Sequence, residues 1–311
     1  MRLSRIQAGL VAVLGLAIPA LGAIAAHPGT INYVEGSVSI NGDTVTPSSI
    51  GSADLGPGAV LKTNSGKAEV LLTPGVFLRV GRNSQVRMVS SGLTDTRVTV
   101  DRGAALLEAT EVHKENNIQV AANTLNAQVE KKGLYRFDAD HSTVSVFDGK
   151  AKVYEGDSSV ELGKGKQVTA SSEGVLAKPQ KFDRDQASNT DELYQWSNLR
   201  SKYLSEESAA TAQRIVLEPG GWFGSGWYWN PWFGSYSWLP AGNAFYSPFG
   251  YGFYSPWSVW SPVYAIPRYR VYPQSGFTGV RPSFGHYGYG GHYGVGSSRF
   301  GGGMGRMGGR R

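Results

Sequence analysis

The chain has 311 residues, of which 42 are glycine and only 17% are charged, compared with about 25% in a typical protein. It contains no cysteine, which excludes a disulfide framework, cysteine-ligated zinc, iron–sulfur clusters and a thiol nucleophile. The net charge of +6 comes from the two ends, because seven arginines and no acidic residue follow Glu218, and it does not indicate a nucleic-acid-binding surface on a folded domain.

Residues 1–25 have the pattern of an export signal. Arg2 and Arg5 precede an uncharged, largely apolar run over 8–26, in which Ala23-Ile24-Ala25 has the small-x-small pattern of a signal-peptidase site. We expect cleavage after Ala25 and a periplasmic or secreted protein associated with the cell envelope. The alternative is that residues 8–26 remain as a membrane anchor, because about 18 apolar residues can just cross a bilayer.

Residues 30–172 are predicted to form an all-β domain of short strands. Apolar and polar residues alternate in short runs, which is typical of strands with one buried face. Turn signals such as Asn41-Gly42, Pro74-Gly75 and Asp148-Gly149 recur, which indicates a sandwich, a barrel or a stacked β-coil rather than βαβ units. The predicted core positions are Leu72, Leu78, Val80, Phe137 and Val146.

An ordered series of motifs in this region resembles the FecR domain. The motifs are Thr63-Asn64-Ser65-Gly66-Lys67-Ala68-Glu69-Val70-Leu71-Leu72, Gly75-Val76-Phe77-Leu78-Arg79-Val80, Asn83-Ser84-Gln85-Val86, Gly133-Leu134-Tyr135-Arg136-Phe137-Asp138 and Leu162-Gly163-Lys164-Gly165-Lys166-Gln167-Val168. The resemblance is close over about 60–170 and loose over 30–60, and Leu134 replaces a threonine of the family pattern.

The resemblance implies an extracytoplasmic all-β module of stacked short strands. In the iron-dicitrate sensor that names the family, this module lies outside a transmembrane helix and relays receptor status to a cytoplasmic segment that controls a sigma factor. Only seven residues precede the apolar run of the present chain. We therefore expect the module without the cytoplasmic anti-sigma segment.

A linker over 173–189 and an amphipathic helix over 190–216 are predicted next. Asn189 and Glu192 have the spacing of a capping box, and Pro219-Gly220-Gly221 follows the predicted end. One face of the helix collects Leu193, Trp196, Leu199, Tyr203 and Leu204. We expect this face to pack Trp196 against the β-domain, and self-association through the helix is the alternative.

Residues 219–311 are predicted to be a disordered, or only locally ordered, low-complexity tail. Residues 219–267 carry no charge and hold seven of the eight tryptophans, whereas Gly, Tyr, Ser and Arg dominate from 268 onward. Gly and Pro recur too often for a continuous helix or a central strand. Aromatic rings and arginines suit lipid interfaces and anionic groups, so we predict that this tail retains the protein on the envelope through a glycan, an anionic lipid or an envelope protein.

The sequence predicts no catalytic, cofactor-binding or metal site. It has no Gly-x-Ser-x-Gly elbow, no His-Glu-x-x-His pair and no P-loop. Asp138, Asp140 and His141 form a cluster of metal-ligand types at a strand end, where Asp usually makes turn hydrogen bonds. His113 stands alone, and His286 and His292 lie in Gly/Tyr-rich sequence.

The function predicted from sequence is that of an exported, non-enzymatic FecR-type protein with a structural or ligand-sensing role in the bacterial cell envelope. The first alternative is a membrane-tethered sensor that keeps residues 8–26 as its anchor. A hydrolase that uses Asp138, Asp140 or His141 is a more distant alternative. The arginine- and glycine-rich end resembles RNA-binding segments, but export makes nucleic acid an unexpected partner.

Overall fold

The computed structural model describes residues 25–171, 176–217, 224–242 and 244–260. Strands dominate this part of the chain and one long helix follows them, which confirms the all-β prediction with one main helix. The predicted signal segment, apart from its last residue, and the arginine-rich end of the chain lie outside these residues.

The strands in chain order are β1 (Ile31–Glu35), β2 (Val38–Ile40), β3 (Asp43–Val45), β4 (Val60–Thr63), β5 (Lys67–Leu71), β6 (Val76–Val80), β7 (Ser84–Gly92), β8 (Asp95–Arg102), β9 (Ala104–Ala109), β10 (Ile118–Ala122), β11 (Leu125–Val129), β12 (Gly133–Asp138), β13 (Thr143–Asp148), β14 (Lys150–Glu155), β15 (Ser158–Gly163), β16 (Lys166–Thr169), β17 (Gln180–Lys181), β18 (Gly226–Asn230), β19 (Ser235–Leu239), β20 (Phe245–Tyr246) and β21 (Gly252–Phe253). The helices are α1 (Arg184–Thr190), α2 (Glu192–Leu217) and α3 (Pro256–Trp260), and short 3₁₀ turns cover Pro47–Ser49 and Lys114–Asn116.

Two large sheets form the body of the protein. The eight-stranded sheet has the order β1-β5-β6-β9-β12-β13-β16-β17, and the nine-stranded sheet has the order β15-β14-β11-β10-β8-β7-β4-β2-β3. Within both sheets, neighbouring strands are antiparallel except β8 and β10, which are parallel. β18 pairs with β19 and β20 pairs with β21 in two separate two-stranded sheets.

The main core lies between the two large sheets and confirms the predicted core positions. Leu72, Leu78, Val80, Phe137 and Val146 are all fully buried. Leu78 lies opposite Val70 on one neighbouring strand and Leu107 on the other. These side chains share one apolar cluster with Val86 and Val100 of the nine-stranded sheet.

Strands β5 and β6 differ from the predicted pattern because both of their faces are buried. Alternation along the sequence predicts one wet face for each strand. In the structure that outer face is covered by α2 and by residues that follow it, where Leu71 and Phe77 pack with Trp238 and Phe253. Alternation identifies a buried face only by its apolar residues. The outer face of β5 and β6 also buries polar residues, so the pattern does not reveal that this face is covered.

The start of the long helix differs from the prediction. Helix α2 begins at Glu192 rather than at residue 190 and ends at Leu217. Asp191 caps it, because its Oδ1 accepts hydrogen bonds from the backbone N–H groups of Leu193 (2.9 Å) and Tyr194 (3.4 Å). Asn189, the predicted cap, lies inside α1, so part of the predicted linker is itself helical, and another part forms β17.

The buried face of α2 is also rotated from the predicted one. Leu193, Trp196 and Leu204 are buried as expected, whereas Leu199 and Tyr203 are 48% and 47% exposed. Most of the remaining buried positions are polar, namely Ser197, Arg200, Ser201, Glu207, Ser208 and Thr211, and the other two are Ala212 and Ile215. The packing of Trp196 against the β-domain is confirmed, since Trp196 shares a cluster with Leu106, Leu134 and Phe147.

Part of the segment that the sequence predicts to be disordered, or only locally ordered, has regular structure over residues 226–242 and 244–260. They form β18 to β21 and α3, with the glycines and prolines mostly between these elements. Trp238 and Phe253 are fully buried against the outer face of the eight-stranded sheet. Aromatic side chains bring a large apolar area per residue, so a few of them suffice to hold a Gly/Pro-rich segment on a folded surface.

Candidate functional site

A buried ion cluster lies on the outer face of the eight-stranded sheet. Arg79 of β6 is flanked by Glu69 of β5 and Glu108 of β9, and all three side chains are fully buried. Arg79 Nε donates a hydrogen bond to Oε2 of Glu69 (2.9 Å), and its Nη1 donates to Oε2 of Glu108. The three strands are adjacent in the sheet, so strand pairing brings the three charges together.

Helix α2 completes the cluster with Arg200 and Ser201. Arg200 Nη2 donates to Oε1 of Glu69 (3.0 Å), and Ser201 Oγ donates to Oε1 of Glu108 (2.7 Å). The guanidinium of Arg200 also lies 4.0 Å from the ring centre of Tyr33, which is a favourable cation–π distance. Two arginines face two glutamates, so the cluster is balanced in charge, as buried ions must be.

Charge pairing keeps both Glu69 and Arg200 ionised. Burial acts to raise the pKa of Glu69, but the charges of Arg200 and Arg79 outweigh it, and the pKa lies below its usual value. Burial likewise acts to lower the pKa of Arg200, and Glu69 with Glu207 keeps that pKa above its usual value. The pair of Glu69 and Arg200 is therefore an ionic connection between the sheet and α2.

Asn32 connects the same cluster to β19. Its side chain is buried, and Nδ2 donates to Oε1 of Glu69 (3.1 Å) and to the carbonyl oxygen of Tyr236 (3.2 Å). Its Oδ1 accepts from the backbone N–H of Tyr236 (2.7 Å). The side-chain amide of Asn32 thus pairs with both backbone polar groups of Tyr236. It attaches the C-terminal hairpin, formed by β18 and β19, to the eight-stranded sheet.

Glu207 is a further carboxyl between α2 and β19. It is buried, and its Oε2 accepts a hydrogen bond from Ser235 Oγ (2.8 Å). Burial raises its pKa to about 7, although the charge of Arg200 acts in the opposite direction. This group therefore changes charge near neutral pH at the junction of the helix and the hairpin.

A second set of ion pairs fixes the beginning of α2. Lys67 Nζ lies 3.2 Å from Oε1 of Glu35 and 2.8 Å from Oε1 of Glu192. Trp196 Nε1 donates to Oε2 of Glu35 (3.1 Å), and its ring lies 5.5 Å from Lys67 Nζ. The N-terminal turn of α2 is thus attached to the edge of the sheet by charge and by aromatic packing.

The turn between β18 and β19 presents aromatic side chains to solvent. We call residues 231–234 (Pro, Trp, Phe, Gly) the aromatic turn, and all four are exposed. The side chains of Trp232 and Phe233 are 85% and 44% exposed. By contrast, Asn230 and Ser235, the pair that closes the turn, are buried.

The Asp138–His141 cluster is a turn in the structure. Asp138 Oδ1 accepts from the backbone N–H of His141 (3.0 Å), and its Oδ2 binds Arg136 Nη1 (2.7 Å). Burial acts to raise the pKa of Asp138, but Arg136 lowers it below its usual value. Asp140 Oδ1 accepts from the backbone N–H of Gly103 (2.9 Å) and so faces a different neighbour.

These side chains do not converge on a metal position. In the part of the chain that the structure describes, no group of three or more His, Cys, Asp or Glu side chains is placed to hold a metal ion. His113 lies 3.2 Å from Glu111 at an exposed position, and His286 and His292 are outside that part.

The buried cluster was not predicted from the sequence. Glu69 and Arg79 appear in the quoted motifs, but alternation assigns their face to solvent. A signal was present, because Glu69 shares its strand face with Leu71, and Arg79 shares its face with Phe77. A charged residue among apolar residues on an outer face indicates that another layer covers that face.

Comparison with known proteins identifies the domain. A family model described as FecR protein matches residues 59–152. Two crystal structures of a candidate anti-sigma factor from Parabacteroides distasonis ATCC 8503 are similar to the chain, each at 17% identity over 42% of it, with TM-scores of 0.36 and 0.35. The chain spans 64% and 62% of the lengths of those two chains.

No curated protein matches the chain. None of the helices in the described residues is both long and apolar enough to cross a membrane. The identification of the domain rests on the family match over residues 59–152. The chain carries a FecR domain.

Proposed function

We propose that this chain is an exported, non-enzymatic FecR-domain protein with a structural or ligand-sensing role in the bacterial cell envelope, retained there by its C-terminal region. The observation that carries the proposal is the cover over the FecR domain. Helix α2 and the C-terminal hairpins occupy the outer face of the eight-stranded sheet, and its buried ions pair with Arg200 and Ser201. The charged groups of this face hold α2 on the sheet, whereas the aromatic turn faces solvent.

Three further observations support the proposal. The first 25 residues have the pattern of an export signal, and the FecR resemblance implies an extracytoplasmic module. The sequence from 268 to the end carries seven arginines and no acidic residue, which suits an anionic envelope surface. The Asp and His residues considered for catalysis are engaged in turn hydrogen bonds.

Truncation with cell fractionation tests retention. A stop after Trp260 removes the arginine-rich end but keeps Trp238 and Phe253, which cover Leu71 and Phe77. An earlier stop after Glu218 would expose that apolar surface, so loss of retention could then reflect unfolding. The truncated protein lacks the seven arginines that attract it to an anionic surface, so we expect it to leave the envelope fraction at lower salt than the full chain. For the full chain this attraction is itself screened at high salt, because the Debye length is only about 3 Å at 1 M. Equal retention of both proteins at every salt concentration would contradict a role of the arginine-rich end in retention.

Intact-mass measurement separates the proposal from the tethered-sensor alternative. Cleavage after Ala25 removes the apolar run up to that residue, and the exported protein then begins at Ala26. We expect the mass of the protein recovered from the envelope to correspond to residues 26–311. A mass that includes residues 8–26 would favour the membrane-tethered sensor.

A further inference from the structure

We propose that the aromatic turn inserts Trp232 and Phe233 into the interfacial region of a phospholipid bilayer. This inference rests on the proposed function, because it names the surface that the C-terminal region contacts.

The turn exposes no unpaired backbone N–H group to a bilayer. Pro231 has no N–H group, and the N–H groups of the next three residues are all donated within the turn. Trp232 N donates to Asn230 Oδ1 (3.0 Å), and the N–H groups of Phe233 (3.2 Å) and Gly234 (2.9 Å) donate to the carbonyl oxygen of Asn230. Backbone donors that enter a membrane must be satisfied internally, and these already are.

The turn is also rigidly supported. Asn230 and Ser235 are 2% and 4% exposed, and Asn230 Nδ2 donates to Thr211 Oγ1 of α2 (2.8 Å). The Ser235 hydroxyl is bound by Glu207. A turn that is already ordered loses little conformational entropy when it binds a surface.

Charge and side-chain chemistry favour a lipid interface over a glycan. Residues 219–267 contain no charged residue, so the hairpin and its turn bring no ionised group of their own. Trp and Tyr are favoured at the membrane–water interface, and Phe contributes apolar area. Sugar-binding sites need free polar groups beside the aromatic ring, whereas the Asn230 and Ser235 side chains are already engaged.

The neighbouring acidic residues limit how deeply the turn inserts. Glu206 is exposed on α2 next to Glu207, which faces Arg200, Glu69 and Ser235. A pKa of about 7 leaves Glu207 partly neutral at physiological pH, so it opposes the approach less than an ordinary carboxylate. Insertion at the headgroup level, rather than in the hydrocarbon centre, fits this arrangement.

Quenching of tryptophan fluorescence by brominated phosphatidylcholine vesicles tests the inference on the full chain. The variant Trp232→Ser/Phe233→Ser is compared with the parent and with Trp257→Ser, which changes another exposed tryptophan, on α3. We expect the parent and Trp257→Ser to show quenching, and the double variant to lose most of it and to bind phosphatidylcholine vesicles at least tenfold more weakly. The loss is expected to be the same at 0.1 M and 1 M salt.

Two checks keep the outcome decisive. All variants keep the rest of the chain, and their thermal unfolding is measured so that a misfolded variant is recognised. Trp232→Phe serves as a second variant, because it should keep vesicle binding while it removes the quenched fluorophore. Quenching that is equal in the parent and the double variant, or that disappears in Trp257→Ser, overturns the inference.

A glycan or a different cause of retention gives a distinct result. If the double variant is still quenched but no longer sediments with purified peptidoglycan, the surface is a glycan and the lipid assignment is wrong. If quenching depends on the turn while envelope retention is unchanged by the truncation after Trp260, insertion stands and the part of the retention proposal that relies on the arginine-rich end fails. If the truncation releases the protein but quenching is absent in the parent, retention stands and insertion fails.

Discussion

Arg200 of α2 donates a hydrogen bond from Nη2 to Oε1 of Glu69, 3.0 Å away and 131 positions earlier in the chain. Both side chains are buried, and Glu69 also receives a hydrogen bond from Arg79. The helix is therefore attached to the FecR sheet by an ion that the sheet cannot neutralise with Arg79 alone, because Arg79 is shared with Glu108. Loss of the helix would leave a buried carboxylate short of positive charge.

Replacement of Arg200 by methionine should strongly destabilise the protein. The change keeps an unbranched apolar stem but removes the guanidinium charge that faces Glu69, and breaking a buried pair costs about 3–5 kcal/mol. Denaturant unfolding measures the free energy. Arg97→Met is the matched control, since Arg97 pairs with Asp95 at a half-exposed position and should lose less than about 1 kcal/mol. Similar losses for both variants would contradict the described role of the cluster.

Replacement of Leu78 by aspartate should unfold the β-domain. Leu78 is fully buried between Val70 and Leu107, so the aspartate would have no partner for its charge. Circular dichroism should show loss of the strand signal at room temperature. Leu93→Asp, at a position that is 54% exposed, should fold normally. A Leu78→Asp protein with the parent's melting temperature would show that the strand register is wrong.

The stability of the protein should fall as the pH rises from about 4.5 to about 7, because of Glu207. Its pKa is raised to about 7 in the folded state, so the folded protein holds the proton over a range in which the unfolded chain releases it. The stabilisation is complete below pH 4.5 and is lost through pH 7, and it amounts to about 3 kcal/mol. Glu69 and Asp138, whose pKa values are lowered, act in the opposite sense at more acidic pH.

The variant Glu207→Gln isolates this effect. Its amide stays neutral and can still accept from Ser235, so stability above pH 7 should exceed that of the parent. Urea unfolding at a series of pH values gives the difference between the two curves. Glu206→Gln, at an exposed neighbour whose charge is only the smallest of the causes that raise the pKa of Glu207, should keep most of the pH dependence of the parent. If the parent and Glu207→Gln have parallel curves between pH 4.5 and 8, Glu207 does not hold the proton.

Asp140→Ala and His141→Ala should leave the metal content of the protein unaltered. Asp140 serves the backbone N–H of Gly103, and the side chain of His141 is 79% exposed beside Asp138. We expect elemental analysis to find no stoichiometric divalent metal in the parent or in either variant. Exposed His141 should also contribute little to stability, within about 0.5 kcal/mol. A stoichiometric metal that both variants lose would support the hydrolase alternative.

The FecR domain was predictable from sequence because its information is local. Alternation places Leu78 and Val80 on one face of β6, and the Asp148-Gly149 turn marks the end of β13 before β14 begins. The Gly149 backbone has a φ of +96°, which favours glycine, and the glycine in the sequence therefore predicts the turn. Such signals depend on neighbours along the chain rather than on distant contacts.

The helix was predictable in kind but not in orientation. Periodicity shows that a helix follows the β-domain, and Trp196 packs on it as expected. Leu199 and Tyr203 remain half exposed because the sheet beneath α2 carries Glu69 and Glu108, which require polar partners from the helix. A face chosen for its apolar residues alone therefore points in the wrong direction.

Composition alone does not predict the ordered structure of the residues after α2. A high content of Gly, Pro and aromatic residues indicates a low-complexity tail, and the sequence offers no periodic strand pattern there. In the structure Trp238 and Phe253 find an apolar surface made by Leu71 and Phe77, and this surface exists only after the β-domain has folded. The order of this segment is thus conferred by the domain on which it packs.

The sequence by itself determined the strand-rich FecR domain, its core positions, the long helix and the distribution of charge, because these follow from periodicity, turn residues and composition. Only the tertiary structure decided that the outer sheet face is a buried ion cluster, that α2 turns Arg200 and Ser201 toward it, and that the aromatic turn faces solvent. The physical reason is that a charge is stable in an interior only beside its partners, and partners separated by 131 positions meet only when the whole domain is assembled.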